Sequence, residues 1–208
     1  MFPKNIAMTK TLPLFPGRYY HVYNRGNNRE NIFHEERNYN YFLMLYAKYI
    51  LPIADTYAYC LLKNHFHFLV RINEDLSGFK NLTGLSNRLD LSKPFSNFFN
   101  AYAKSYNRTY DRAGALFQRP FGRILVANEV YLVNLITYIH QNPQKHGFVA
   151  DFREWPFSSY HVILSERIAF AQRESVLTLF RGREQMEAMH RSIIKGQELI
   201  ALAPDDFD

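Results

Sequence analysis

Residues 54–72, ADTYAYCLLKNHFHFLVRI, form an apolar run broken once, at Lys63-Asn64. Strand formers on both sides of that break predict one strand over 54–62 and another over 65–72. A connection this short forces the two to pair antiparallel. Side chains alternate along a strand, so His65 and His67 share one face while Phe66 points to the other, into the core. Two imidazoles inside an apolar strand are costly unless something engages them. The pair can hold a divalent ion if a third ligand approaches.

Working outward, residues 18–25 (RYYHVYNR) read as a first strand, stopped by Gly26-Asn27-Asn28. Residues 35–49 read as a helix, with Tyr39, Phe42, Leu43, Tyr46 and Ile50 on one stripe. The stretch from 78 to about 108 looks helical, with a break expected near Pro94. Residues 114–123 form a basic loop, and Ile124-Leu125-Val126 a short fourth strand. Asn128 suits the N-cap of a helix over 129–140, with Asn142-Pro143 at its end. Residues 174–202 are amphipathic, with Gly182 and Gly196 as breaks. The expected class is α+β: a ferredoxin-like, split βαβ antiparallel sheet with helices on one face, plus a further helix and a C-terminal helical appendage. The expected division is an irregular arm over 1–17, a domain over 18–162 and the appendage over 163–208.

Bulk composition narrows the class. At 208 residues and 47% apolar content the chain can bury a real core and is not a disordered segment. Aromatics reach 16%, with 18 Phe and 15 Tyr, enough for both core packing and base stacking. The net charge of +6 favours a polyanionic partner. The single cysteine, Cys60, excludes an internal disulfide and a cysteine metal cluster. With no long apolar stretch at the start and none of membrane length, the expected location is cytoplasmic, away from any membrane.

The helix over 129–142 supplies what the histidine pair lacks. Tyr138 and Asn142 are four apart and share a face. An amide oxygen is a fair ligand for Mg²⁺ or Mn²⁺. A phenol one turn away is placed to attack a phosphate held there. Tyr131 shares that face, but its i+4 neighbour is Leu135, which binds no metal. His140, two residues from Tyr138, points away and reads as a surface histidine. His21, on the first strand, has no assigned role.

Four ordered blocks carry a family resemblance. His65-Phe66-His67 resembles the histidine-hydrophobe-histidine (HUH) motif of single-strand endonucleases. Residues 20–29 (YHVYNRGNNR), 58–64 (AYCLLKN), 138–147 (YIHQNPQKHG) and 155–160 (WPFSSY) resemble conserved blocks of IS200-like transposases, in the branch of REP-associated tyrosine transposases. The resemblance covers about residues 18–162. Lys63 stands where proline is common, and Phe117 where tryptophan is. It implies that Tyr138 is the single nucleophile and that His65, His67 and Asn142 bind the ion. It also implies cleavage and rejoining of single-stranded DNA through a 5′-phosphotyrosine. The DNA would be hairpin-forming palindromic repeats, and the enzyme would act as a monomer or a homodimer. Arg25, Asn27, Asn28 and Arg29, with Gln118, Arg119 and Arg123, and Lys145 with His146, are the expected DNA contacts. Two rivals remain at this level. One is a ferredoxin-like module that binds single-stranded nucleic acid without cutting. The other is an HUH replication or mobilisation nuclease.

Overall fold

The computed structural model describes residues 12–77, 90–165 and 170–191. Four strands, β1 (Tyr19–Arg25), β2 (Ala54–Leu61), β3 (His65–Ile72) and β4 (Gly122–Val126), form one sheet in the order β2-β3-β1-β4. All pairings are antiparallel. With α1 (Glu36–Tyr49) between β1 and β2, and α2 (Ser92–Thr109) between β3 and β4, this is the expected split βαβ order.

Aromatic packing fixes which face the first two helices cover. Phe66 and Phe68 of β3 meet α1 through Phe42 (5.0 Å between ring centroids to Phe66) and Tyr46 (4.2 Å to Phe68). Phe99 of α2 closes on Phe66 at 5.4 Å. The start of α1 is held by a reciprocal cap, in which Glu35 accepts from the Asn38 backbone and the Asn38 side chain accepts from the Glu35 N–H. Pro94 does not interrupt α2, because it is the third residue of that helix, where its missing N–H costs no intrahelical bond. The expected helical stretch over 78–89 lies outside the described residues, as do the arm over 1–11 and the end of the chain beyond 191.

The opposite face carries α3 (Glu129–Lys145), capped by Asn128, whose side chain accepts from the Tyr131 N–H at 2.8 Å. The helix runs past Pro143 rather than stopping at it, since the His146 N–H still reaches the Asn142 carbonyl at 3.0 Å. The exposed edge of β2 is covered by the Trp155–Ser159 stretch. Trp155 Nε1 donates to the Leu61 carbonyl at 2.8 Å, and Leu61 N–H and Ser159 N–H exchange bonds with Phe157 and Tyr59. An uncovered edge would offer itself to other chains, so this cover has a clear physical use.

The amphipathic stretch expected from 174 divides at Gly182, one of its two expected breaks, into α5 (Arg173–Leu179) and α6 (Arg183–Arg191), after the brief α4 (Tyr160–Leu164); Gly196 lies outside the described residues. Gly182 has φ +116°, a conformation that side chains disfavour. No described helix is long and apolar enough to cross a membrane.

The C-terminal helices are fastened to α3 by a buried histidine pair. His140 is fully buried rather than a surface group. It does face away from Tyr138, but α6 covers that side of the helix. His190 Nδ1 lies 2.7 Å from the Met186 carbonyl and so carries a proton. Its Nε2 therefore accepts from His140 Nδ1 at 2.8 Å, and His140 Nε2 accepts from the Ser159 hydroxyl at 2.8 Å. Every ring nitrogen is satisfied with both rings neutral. Burial accordingly holds His140 well below the usual histidine range and His190 down to about 4.

Between pH 6.5 and about 4 the unfolded chain takes up protons that the folded pair refuses, so stability falls as pH drops through that window. We expect the urea midpoint to be lower at pH 5 than at pH 7.5. His190→Ala should cost about 2–4 kcal/mol, from a cavity and an unpaired His140 donor. A midpoint independent of pH would contradict the neutral pair.

Candidate active site

Alternation along the two central strands brings the site together. Tyr23 pairs with His67 and Arg25 with His65, so side chains of both strands rise on the α3 face. His65 and His67 are both buried, with ring centroids 5.2 Å apart. Each is fixed through Nδ1. His65 Nδ1 is 2.7 Å from Asn64 Oδ1, an acceptor, so His65 holds its proton there. His67 Nδ1 is 2.9 Å from His21 Nε2. When His67 donates in that contact, both rings keep the Nε2 lone pair for the site.

The facing helix lays residues 138, 142 and 146 along one line. The Tyr138 ring stands 5.8 Å from that of His67, edge to face. The His146 ring stands 4.8 Å from that of His65. Asn142, one turn from each, therefore lies over the histidine pair. Its Nδ2 donates to the Tyr138 carbonyl at 3.1 Å, which turns Oδ1 away from the helix. His65 Nε2 and Asn142 Oδ1 are buried and make no hydrogen bond, and neither does the Nε2 atom of His67. Buried polar atoms left unsatisfied cost about 1–3 kcal/mol each, so three at one place need a reason. Two imidazole nitrogens and an amide oxygen are a donor set suited to a divalent ion. Among the described residues no group of three or more His, Cys, Asp or Glu side chains could hold a metal, so this set would depend on the amide of Asn142 as its third donor.

The electrostatics favour an anion in this place. Burial first, then the charges of His146, Arg25 and Lys145, keep His65 neutral. Burial, then His21, His65, His146 and Lys145, do the same for His67. Lys145, seven residues after Tyr138, sets its ammonium 4.8 Å from the centre of the Tyr138 ring. Lys145 is exposed as a residue, yet partial desolvation draws its pKa down to about 8. His146 falls to about 4 through burial, then Lys145 and Arg25.

The expected DNA-contact residues separate into three places. Arg25, Asn27, Asn28 and Arg29 lie at the end of β1, beside Gln118 and Arg119, because Gly26 bridges to Phe117 and the Gln118 N–H donates to the Arg25 carbonyl. Asn27 there spends its Nδ2 on the Ala115 carbonyl, a structural bond. Asn28 and Arg29 are exposed and adopt positive φ. Arg123 pairs with Val22 and reaches Ser92 of α2, so it belongs to the other side of the sheet. Lys145 and His146 sit at the site itself. Two contributors escaped the sequence reading, His21 as the partner of His67 and Asn64 as the partner of His65, and Lys145, expected as a DNA contact, proves to be the cation over Tyr138. The alternation His21-Val22-Tyr23 and the seven-residue spacing from Tyr138 were the available signals.

No family model matches the chain. A curated relative does. The chain is 30% identical over 109 residues to a Haemophilus influenzae protein described as a REP-associated tyrosine transposase. The match takes in 51% of this chain and 59% of the relative, so the chain spans somewhat over half the length of the curated protein it matches. Among solved structures, a REP-associated tyrosine transposase bound to a REP hairpin superposes with a TM-score of 0.52 at 20% identity. That match covers 80% of this chain and 87% of the other. The fold is thus that of the transposase structure: a four-stranded antiparallel sheet with helices.

Gly122 shapes the floor beside His67. A Cβ there would stand 2.2 Å from the ring of Tyr23, which lies flat over the glycine. Gly122→Ala should displace that ring and cost about 1–3 kcal/mol, as overpacking does. A thermal melt unchanged from the parent protein would show that the ring moves freely.

Proposed function

We propose that this chain is a metal-dependent single-strand DNA endonuclease that cuts and rejoins through Tyr138, as a transposase or a domesticated relative of one. The observation that carries the reading is the set of lone-pair atoms, His65 Nε2 and Asn142 Oδ1 above all, buried without hydrogen bonds one helical turn from a tyrosine. The likeness to REP-associated tyrosine transposases supports it.

His65, His67 and Asn142 would hold Mg²⁺ or Mn²⁺. The bound ion would polarise the scissile phosphate and offset charge on its oxygens. Tyr138 supplies the attacking oxygen. Its O–P bond forms as the P–O3′ bond breaks, the phenolic proton is lost, and the 3′ oxygen leaves as a hydroxyl after taking up a proton. The 5′ end stays on Tyr138, and the same steps reversed rejoin the strand, so no nucleotide cofactor is consumed. A phenol with a reference pKa of about 10 needs help to lose its proton. The Lys145 ammonium against the ring favours the phenolate. His21 and Asn64 hold the histidine rings in the orientation that points Nε2 into the site. Arg25, Asn28 and Arg29, with Gln118 and Arg119, would grip the backbone leading to the cut, and Asn27 would position their loop. The substrate would be a single strand that folds into hairpins. Tyr138 meets the histidines of its own chain here, so one copy holds a complete set of groups, and a homodimer is not needed for the chemistry.

Incubation with labelled hairpin-bearing single strands and Mn²⁺ should give a covalent adduct that survives denaturing gels. Tyr138→Phe should abolish it with the fold intact. An adduct that persists in Tyr138→Phe would sink the assignment, and DNA binding with no adduct on any strand would favour the non-cutting module.

Calorimetric titration with Mn²⁺ alone checks the ion site. Asn64→Ala frees the His65 ring and should weaken binding about 10–100-fold, the usual cost of losing an outer partner of a ligating histidine. Equal affinity in the two proteins would argue that His65 is not a ligand.

A further inference from the structure

A groove of about 670 Å³ opens between α2 and the loop that leads into β4, on the sheet face away from Tyr138. Asn100 and Lys104 of α2 form one wall, and Gln118 and Arg119 of the loop the other. Phe117 and Phe121, 5% and 8% exposed, line its apolar floor. Among the described residues lining it there is no Asp or Glu. Arg123 sits at its β4 end, with its guanidinium against the Phe121 ring at 4.8 Å and one N–H on Ser92. The Arg123 Nε atom is buried and makes no hydrogen bond.

These features together suit one kind of occupant. Cations without acidic neighbours attract phosphate. Asn and Gln amides match the donor-acceptor pair on adenine, and arginine matches the acceptor pair on guanine. The small part of Phe117 and Phe121 left uncovered gives a base an apolar floor to rest against. A base inside a duplex offers only its groove edges, whereas an unpaired one can bring its whole ring into such a groove. We infer that this groove binds an unpaired purine nucleotide of the DNA strand.

The groove's place relative to the site is fixed. The Gly26–Phe117 bridge and the bond from the Gln118 N–H to the Arg25 carbonyl tie its loop wall to the end of β1, where Arg25 pairs with His65. Asn24 lines the groove from β1, while its neighbours Tyr23 and Arg25 rise on the face of His65 and His67. A strand with its reactive phosphate at Tyr138 therefore enters the groove by crossing the corner at residues 25–27. The occupied nucleotide is a recognition position outside the chemistry. This inference rests on the proposal that the chain handles single-stranded DNA.

The test uses the full chain carrying Tyr138→Phe, in EDTA, so that neither metal nor cleavage enters. Fluorescein-labelled dA and dT dodecamers report affinity by anisotropy. An otherwise identical dA strand containing 8-azidoadenine reports position by photocrosslinking and peptide mass spectrometry. The expected result is tighter binding of dA than dT, crosslinks within residues 96–123, and a loss of dA affinity of about tenfold in Asn100→Ala combined with Lys104→Ala. Both of these residues are exposed on α2, so the variant keeps the core. Crosslinks confined to residues 19–25, 65–67 and 138–146, or equal dA affinity in the variant, would overturn the groove while leaving the proposed function standing. No binding of either strand, together with no covalent adduct from the Tyr138 protein on hairpin strands, would overturn both.

Discussion

The register of β1 against β3 is the constraint on which the site depends. Pairing Tyr23 with His67 and Arg25 with His65 sets every ring of the site on one face. A slip of one residue would turn β1 over, burying Val22 and Asn24 beside the histidines and sending His21 and Tyr23 toward α1 and α2. Tyr20 and Val22 of β1 oppose such a slip, because both are buried in the core on the other face. The hydrophobic core and the candidate site are thus set by the same alternation, read from opposite sides.

That alternation is also why so much could be read from the chain. The hairpin at Lys63-Asn64, the paired histidines and the Tyr138–Asn142 step each follow from a period of 2 or of 3.6, and periods survive in sequence. What could not be read depends on which distant segments meet. His140 was expected at the surface because its direction, away from Tyr138, was legible but the helix covering that direction was not. The break at Gly182 folds α6 back to deliver His190 there. Helix α3 passes its proline for a local reason: Pro143 lacks the N–H that would reach the Ile139 carbonyl, but the turn after it is closed by the bond from His146 to Asn142. The pairing of His21 with His67 joins residues 46 apart, which no local pattern encodes.

The charge arrangement separates two jobs. The buried histidines are neutral, so their lone pairs remain available, while Arg25 and Lys145 place positive charge near them. A metal site built from carboxylates would carry its own negative charge and repel a phosphate backbone at short range. Neutral imidazole and amide donors leave the positive field of the surroundings uncancelled, which would suit the polyanionic strand proposed as substrate.

Helix α3 is keyed on both sides. Tyr138, Asn142 and His146 engage the sheet, and His140, between them in sequence, engages Ser159 and His190 behind. Turning the helix by one residue position would swing it about 100°, and both engagements would be lost together. It can neither roll to adjust Tyr138 nor loosen its rear contact independently. The segment that follows the sheet in sequence therefore works as the back wall of the helix that carries Tyr138, and an insertion or deletion of a single residue within 138–146 would be read at both faces at once.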